Sequence, residues 1–543
     1  MRRMRGQALV MAAVVVGLFT ILGGSLLTRS MGGMQQATLQ QLYAEVFYLA
    51  QGGLEDTLGQ FADALANVQV SATASQYPAS GTLTTTFSQT ATLPSGTTAS
   101  SVMTELAPGQ QLLTDPDGTQ ALVKTYHVTT MVQHPLKPGV RVTLHQVINR
   151  RLVYTFQHTV FYEDDLEILP GPAMTLTGRL HTNSDLYLGA NDELRINSEY
   201  VRAAGHIFNK RKDVAITPPG DVSIKKAGTG AFFDMNGLDS PDPTWVPDSQ
   251  QRWNGTVQDS AHGVTQLAVP VVGSIQPGGY YDQQAGLRVV NGVVYQGNSQ
   301  LVPGLHIPSG TVTVTTSFYN NREGKYVQMY NVDLKKLAGY ANCDADPEDE
   351  VCFPNRLPGN GLMYVTADGV PPSYQPGVRL LNGQQIHRSG GLTIVTNDPL
   401  YLQGNYNTIN KQPCAVMGDA LSLLSNNWND ATSAQGLSNR VAANTAVNAA
   451  FLAGIKTTSA GAYNGGLENY PRLHENWTGK TLTIRGSFVA LWNSQLATGA
   501  WQYGAPQYTA PNRNWDYDAD FSAHPPPFTP WAVEIQREAW WRE

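Results

Sequence analysis

The sequence is poor in charge and in cysteine. Of its 543 residues 14% are charged and three are cysteine, whereas charged residues make up roughly 25% of an average soluble domain. Basic residues do not cluster beyond the N-terminus, so nucleic-acid binding is not expected. The absence of a Cys-x-x-Cys pair excludes zinc ribbons and c-type haem attachment on sequence grounds.

Enzyme signatures are also missing. There is no His-Glu-x-x-His and no Gly-x-Ser-x-Gly motif, which a zinc protease or a serine hydrolase would carry. The 11 histidines are scattered singly, and each is interpreted as a surface or hydrogen-bonded residue. We therefore predict no catalytic residue and a protein that is not an enzyme.

No charge interrupts the chain between Gly6 and Arg29. The run 8–27 is long enough to cross a bilayer, and the three arginines before it place the N-terminus in the cytoplasm. A cleaved secretory signal would have a shorter apolar core and a small-residue cleavage site. The run instead continues into helical apolar spacing, so one helix over 7–68 is predicted, and its three glycine pairs are points where it could bend.

The rest of the chain is predicted to be β-rich, because its 52 glycines and 32 prolines supply many turns. Period-two alternation predicts an antiparallel sheet within a head over 69–165. In the large C-terminal region, 166–543, the stretches 176–189 and 392–405 have the same pattern: a short strand, a turn and a second short strand. Stacked solenoid rungs have this pattern, and a large β-sandwich is the alternative.

The predicted fold class is therefore α+β. A long N-terminal transmembrane helix is followed by a β-rich head with an antiparallel sheet, and then by a β-solenoid-like or β-sandwich region. One helix is predicted inside that region near 431–455, where apolar residues follow Asn429 and Asp430.

Cys343 and Cys352 enclose a short acidic loop. In an oxidising compartment a disulfide between them is expected, which would leave Cys414 as a buried thiol. The closed loop would gather carboxylates for Ca²⁺, a cation that prefers oxygen ligands, and a solvated acidic turn is the alternative. The candidate ligands are Asp344, Asp346, Glu348, Asp349 and Glu350.

The basic leader ending in glycine and the apolar helix after it resemble type IV pilins. In that family a prepilin peptidase cuts after the leader glycine, which implies a leader over 1–6, cleavage after Gly6 and Gln7 as the mature N-terminus. The family usually carries glutamate five residues into the mature chain, where this sequence has Met11. In this departure the sequence resembles minor pilins of the PilX type and the tip pseudopilin of type II secretion. Several stretches after residue 163 also resemble large PilX-like proteins.

The resemblance implies a minor pilin or tip subunit, with adhesion as a hypothesis. It would lie in the bacterial inner membrane before assembly and in an extracellular filament or at the cell surface afterwards. The implied partners are other pilin subunits, the inner-membrane assembly machinery and prepilin peptidase. Two alternatives stay open: a polysaccharide-active enzyme on a solenoid, whose carboxylates would converge on one groove, and a static one-span envelope protein in which Gly6 is never cut.

Overall fold

The computed structural model describes most of the chain, namely residues 3–67, 86–93, 96–106, 111–115, 118–341 and 350–543. The predicted fold class is confirmed. A long N-terminal helix is followed by a large β-rich region that contains both antiparallel and parallel sheets.

Helix α1 (Arg3–Asn67) is continuous over 65 residues. At 1.5 Å per residue it is about 98 Å long. It contains no proline, and its glycine pairs lie within unbroken helix. From Leu42 onward, buried residues recur every three or four positions, so only this second half has a face that packs against the rest of the protein.

The second half of α1 lies across an antiparallel sheet. Leu54, Leu58 and Phe61 of the helix share a hydrophobic cluster with Tyr126 and Leu152 of that sheet. Alternate residues of its long strands are buried, as expected for a sheet with one face on a core. The strands that precede the solenoid are β1 (Thr86–Thr92), β2 (Thr98–Glu105), β3 (Gln111–Thr114), β4 (Gln120–Gln133) and β5 (Arg141–Tyr154).

A first set of short solenoid strands follows β5 after a single 3₁₀ turn. The elements are β6 (His158–Tyr162), β7 (Leu166–Ile168), β8 (Met174–Thr177), β9 (Arg179–Thr182), β10 (Leu186–Leu188), β11 (Glu193–Asn197), β12 (Val201–Ala203), β13 (Ile207–Phe208), β14 (Asp221–Lys225), β15 (Phe232–Asp234), α2 (Trp245–Trp253) and β16 (Val257–Gln258).

A second set of solenoid strands completes the chain before the C-terminal segment. The elements are α3 (Tyr280–Gln284), β17 (Leu287–Val290), β18 (Val293–Gln296), β19 (Ser299–Leu301), β20 (Val312–Asn320), β21 (Lys325–Asp333), α4 (Leu334–Leu337), β22 (Tyr340–Ala341), β23 (Glu350–Val351), β24 (Leu362–Thr366), β25 (Tyr374–Leu381), β26 (Leu392–Thr396), β27 (Leu400–Gln403), β28 (Cys414–Gly418), β29 (Leu421–Leu424), β30 (Thr445–Ala453), β31 (Pro471–Leu473), β32 (Thr481–Ala490) and β33 (Asn512–Tyr517).

These strands stack as a parallel β-solenoid, which decides between the two predicted alternatives. Leu166, Leu186 and Ile207 pair in register on successive rungs, about 20 residues apart along the chain. Such parallel pairing between equivalent positions is the signature of stacked rungs and not of a sandwich. The two similar stretches of the sequence, 176–189 and 392–405, are corners of solenoid rungs. In each of them the chain passes from a strand of the 13-stranded sheet (β9 or β26) to a strand of a neighbouring sheet (β10 or β27).

The chain enters this solenoid in its middle. Strand β6 pairs in parallel with both β9 and β32. The first and second sets of rungs therefore meet at β6, which we call the seam, and extend from it in opposite directions. One 13-stranded sheet runs the length of the solenoid and includes strands from both sets. The two sets therefore form one solenoid although they are far apart in sequence.

After α5 (Asp520–Ala523), the chain returns to the head as β34 (Trp531–Arg542). Strand β34 pairs antiparallel with β5 along nearly its whole length, from Trp531 opposite Tyr154 to Arg542 opposite Leu144. The sheet order is β1-β2-β4-β5-β34, with β3 paired to β4. The last strand thus belongs to the head sheet and not to the region 166–543 to which the sequence assigned it.

The helix predicted near 431–455 is wrong. Residues Thr445–Ala453 form strand β30, and two short 3₁₀ turns precede it in the same segment. Strand β30 pairs in parallel with β28 and β32 and is buried on both faces from Ala449 onward. A central parallel strand needs apolar side chains on both faces, so its sequence has the same continuous apolar run as a buried helix.

The head and the solenoid share a hydrophobic core. The cluster that contains Leu58 and Phe61 of α1 also contains Tyr364, Met417 and Leu452 on the outer face of the long solenoid sheet. A separate cluster fills the solenoid interior. The solenoid is therefore held to the head by two chain crossings and by apolar packing.

Candidate functional site

The first half of α1 is exposed, and its apolar part, residues 10–28, forms a rod that ends before Arg29. From Val10 to Gln41 no residue is buried, and side chains such as those of Met11 and Ile21 are 74% and 73% exposed. Soluble monomers rarely leave apolar patches of this size uncovered. By length and composition α1 can cross a membrane.

Thr20 and Thr28 satisfy the hydrogen bonds of their side chains on the helix itself. The hydroxyl of Thr20 donates to the carbonyl of Val16 at 2.7 Å, and that of Thr28 donates to the carbonyl of Gly24 at 2.5 Å. In hydrocarbon an unsatisfied hydroxyl costs several kcal/mol, and bonding back to the preceding turn removes that cost. The rod is chemically suited to lipid or to a bundle of like helices.

The residues implied in processing all lie on α1. Gly6 and Gln7 are within the helix, and the side chain of Gln7 lies outside the described part of the structure. Met11, at the position that is usually glutamate in type IV pilins, presents an uncharged thioether on the rod surface.

A cleft of about 350 Å³ lies where the head sheet meets the solenoid. On the head side, Arg151 forms ion pairs with both Asp115 and Glu534. On the solenoid side, burial lowers the pKa of His181 to about 4 and that of His158 well below its usual value, so both imidazoles are neutral at pH 7. The charges of Arg151, Asp115 and Glu534 are thus paired with one another, as in a structural joint.

Beside this cleft, Asp259, His262 and Ser249 have the connectivity of a hydrolase triad. Asp259 Oδ1 lies 2.8 Å from His262 Nδ1, and His262 Nε2 lies 2.9 Å from Ser249 Oγ. The side chain of Ser249 is completely buried, however, so its oxygen cannot reach a substrate. The three residues fasten α2 to the following 3₁₀ turn, and no sequence motif flagged them.

An open groove of about 620 Å³ follows one corner of the solenoid. Asp368 is exposed in it, and Asp398 is only 1% exposed at its base. Burial, together with the neighbouring carboxylates Asp368 and Asp419, raises the pKa of Asp398 to about 7. Glu323 also lines the groove, but Arg472 and the amide of Gly499 occupy its oxygens at 2.8 Å each.

This groove brings two of the acids that the enzyme alternative required onto adjacent rungs, but only Asp368 is exposed to solvent. A carboxyl group that is partly protonated near neutral pH has the protonation state that a general acid needs. The two side chains come from adjacent rungs, after β24 and β26, and register alone brings them together. Because Asp368 and Asp398 are far apart in sequence, no sequence motif predicted that they lie close together.

Most of the predicted calcium loop lies outside the described residues. This applies to Cys343, Asp344, Asp346, Glu348 and Asp349, and the side chain of Glu350 is likewise not described. Cys352 is disulfide-bonded, and Cys414 is a free, buried thiol. The calcium site stays a prediction, and within the described ranges no group of three or more His, Cys, Asp or Glu side chains is placed to hold a metal ion.

Comparisons with known proteins give one likeness. No protein-family model matches the chain, and no curated protein matches it. The crystal structure of the competence-associated pilin ComZ from Thermus thermophilus matches at 10% identity, over 93% of this chain and 98% of that chain, with a TM-score of 0.22. At that TM-score the likeness establishes neither a shared fold nor a shared function.

Proposed function

We propose that this chain is a minor or tip subunit of a type IV pilus-like filament. Helix α1 would hold it in the inner membrane with the arginines in the cytoplasm, and prepilin peptidase would cut between Gly6 and Gln7. Assembly with other pilin subunits by the inner-membrane machinery would then replace lipid around the rod with neighbouring helices.

The observation that carries the proposal is the division of α1 into two halves. Residues 10–41 are uncovered, with an apolar rod up to Thr28, while the half from Val46 to Leu65 packs on the antiparallel sheet of its own head. A simple one-span anchor needs only about 20 residues to cross the hydrocarbon. A single helix that is both membrane span and spine of the head suits a subunit that moves from membrane to filament.

Two features favour a minor or tip position over a repeating one. The solenoid adds several hundred residues to the head, and such a bulk would clash in a closely packed shaft. Met11 also lacks the carboxylate that would neutralise the N-terminal amine of a neighbouring subunit. A terminal or occasional subunit tolerates both features, and the solenoid would then be displayed for adhesion.

Mass spectrometry of the N-terminal peptide tests the proposal. Sheared surface material and membranes are compared for the natural chain, for Gly6→Val and for Gly17→Val, a control at an uncrowded position in the same helix. We expect peptides beginning at Gln7 in the sheared fraction for the natural chain and the control, and uncut chain confined to membranes for Gly6→Val. Uncut natural chain found only in membranes would instead establish a static envelope protein.

A second candidate function is cleavage of a polysaccharide in the corner groove. The pairing of Asp398 with the exposed Asp368 favours it, and such enzymes use two carboxyl groups across the scissile bond. The test is release of reducing ends from a panel of acidic and neutral polysaccharides. Activity that falls at least 100-fold in Asp398→Asn but persists in Asp192→Asn, an exposed acid elsewhere on the solenoid, would support it, and no release from any substrate would reject it.

A further inference from the structure

Two histidines that are distant in sequence meet on the outer face of the head sheet. His127 lies on β4 and His145 on β5, and the register pairs His145 with Thr129, so the two histidines are diagonal neighbours. Tyr126, next to His127, packs against Phe61 of α1. Because successive strand residues point to opposite faces, His127 faces away from the helix.

The facing nitrogens are spaced for one metal ion. His127 Nε2 and His145 Nδ1 are 3.2 Å apart. Two imidazole nitrogens that bind tetrahedral zinc at about 2.0–2.1 Å are separated by about 3.3 Å. The strands would therefore not have to move, and a small rotation about the soft χ2 angle of either ring would aim both lone pairs at the ion.

The far nitrogen of His145 already has the partner that metal-bound histidines commonly have. His145 Nε2 lies 3.4 Å from Glu543 Oε2. A carboxylate that accepts the outer N–H fixes the tautomer with the proton on Nε2 and leaves the lone pair of Nδ1 for the metal. The hydroxyl of Thr129, 3.3 Å from the same Nδ1, supplies an oxygen at the site.

The site is accessible and is covered on one side by an aromatic ring. The indole of Trp541 lies nearly parallel to both imidazoles. Its ring centroid is 5.0 Å from that of His145 and 5.4 Å from that of His127. Trp541 is 46% exposed, and both histidines are partly exposed. Water can therefore reach the remaining coordination positions.

We propose that His127 and His145 form a two-histidine site for a divalent transition-metal ion, with zinc as the representative ion. Imidazole nitrogen suits Zn²⁺, Cu²⁺ and Ni²⁺ and not Ca²⁺ or Mg²⁺. The ion would bridge β4 and β5, and through Trp541 and Glu543 it would also fasten the C-terminal strand β34 to the sheet. This inference does not depend on the proposed filament role.

Zinc titration of the full chain in detergent tests the site. Isothermal titration with zinc chloride is done with calcium in excess, so that oxygen-rich sites are already filled. We expect one saturable equivalent of zinc, lost in His127→Gln and in His145→Gln and weakened about 10- to 100-fold in Glu543→Gln. His206→Gln, at an exposed histidine elsewhere, should bind as the natural chain does.

X-ray absorption at the zinc edge of the natural chain gives a second readout that needs no variant. Two imidazole nitrogens with additional oxygen ligands are expected. Zinc uptake unchanged in His127→Gln, no saturable uptake at all, or a shell without imidazole would each overturn the proposal and leave the two histidines as a hydrogen-bonded pair.

Discussion

Gly53 allows α1 to lie directly against strand β2. A Cβ at Gly53 would be 2.3 Å from the Cβ of Ala99, closer than two such carbons can approach. The adjacent Gly52 has no such constraint, because a Cβ there would meet only Leu93 Cδ2 at 3.9 Å. The pair that the sequence marked as a bend is instead a point of close packing between helix and sheet.

Gly53→Ala is therefore expected to destabilise the head by about 1–3 kcal/mol, the usual cost of overpacking a rigid contact. Gly52→Ala is the matched control. It should stabilise the helix by about 0.5–1 kcal/mol, because alanine loses less conformational entropy than glycine on helix formation. Denaturant unfolding of both variants measures the difference, and equal stability of the two would contradict the packing argument.

Glu468 is a buried carboxyl group at the seam between the two sets of rungs. It is 6% exposed, and its Oε1 accepts a hydrogen bond from the amide of Leu169 at 3.1 Å. Among the described residues its Oε2 has no hydrogen-bond partner, and neither has Oε1 of the nearby Glu167. Burial raises the pKa of Glu468 to about 7, from 4.5, with Arg513 opposing and Glu167 adding to the rise.

This shift predicts that stability falls as the pH rises. The folded state holds the Glu468 proton more tightly than the unfolded state, so ionisation above pH 4.5 costs folding free energy until the pH passes about 7. The cost is on the order of 3 kcal/mol at 1.36 kcal/mol per pKa unit. Glu468→Gln should remove that part of the stability difference between pH 5 and pH 8.

Thermal unfolding at the two pH values measures the effect. Glu193→Gln, at an exposed position on β11, is the control and should leave the pH dependence as it is in the natural chain. A pH dependence that is the same in Glu468→Gln and in the natural chain would show that the carboxyl is solvated or permanently paired.

At the scale of elements, the sequence predicts best where one periodicity extends over many residues. The helix over 7–68 is recognisable because nothing in it forces a break and the apolar spacing persists for many turns. Strand β30 is nine residues long, and its alanine-rich run fits a helix equally well. Only its neighbours β28 and β32 determine its conformation, and they are brought to it by tertiary structure.

The candidate sites were missed for the same reason. His127 and His145 meet only because the register of the β4–β5 hairpin places them diagonally. Asp368 and Asp398 meet only because two rungs stack. A shift of one residue in either register would separate each pair, and single-sequence patterns do not fix register that closely.

Strand β34 shows how an element can depend on a partner far away in sequence. It covers one edge of β5, which otherwise would be an unpaired edge strand. A chain that ends at Pro530 should lose hydrogen-exchange protection in about half of the β5 amides, since alternate amides of an antiparallel strand face each neighbour. A chain that ends at Arg542 is the control.

Hydrogen-exchange mass spectrometry over residues 141–154 measures this protection. The shortened chain should also aggregate more readily, because the exposed edge offers a template for pairing. Exchange of the β5 amides at the natural rate would mean that β34 is only loosely attached to the sheet.

At the scale of the whole molecule, the solenoid is an insertion into the head. The chain leaves the head after Tyr154 and returns at Trp531, and these two residues are paired opposite each other. The head sheet is consequently incomplete until residues 531–542 have been made. In the proposed filament this topology would separate the part that assembles, α1 with its sheet, from the part that is displayed, the solenoid.

The topology predicts that the head can be made without the solenoid. Residues 155–530 are deleted and Tyr154 is joined to Trp531 by Asn-Gly, a turn that suits a tight antiparallel hairpin. Because β4, β5, β34 and α1 keep their mutual contacts, this short chain should fold around α1. It should be less stable than the full chain, because the part of the shared core that packs on the solenoid becomes exposed.

If assembly depends on α1 and the head alone, the short chain should appear in the sheared filament fraction as the full chain does, cleaved before Gln7, while any binding by the solenoid disappears. Hydrogen exchange of β4 and β5 shows first whether the head has folded. A folded short chain that stays in membranes, beside a full chain that reaches the filament, would mean that the solenoid itself takes part in assembly. The displayed part would then be a structural contact within the filament, and its corner groove would have to be sought at a subunit interface.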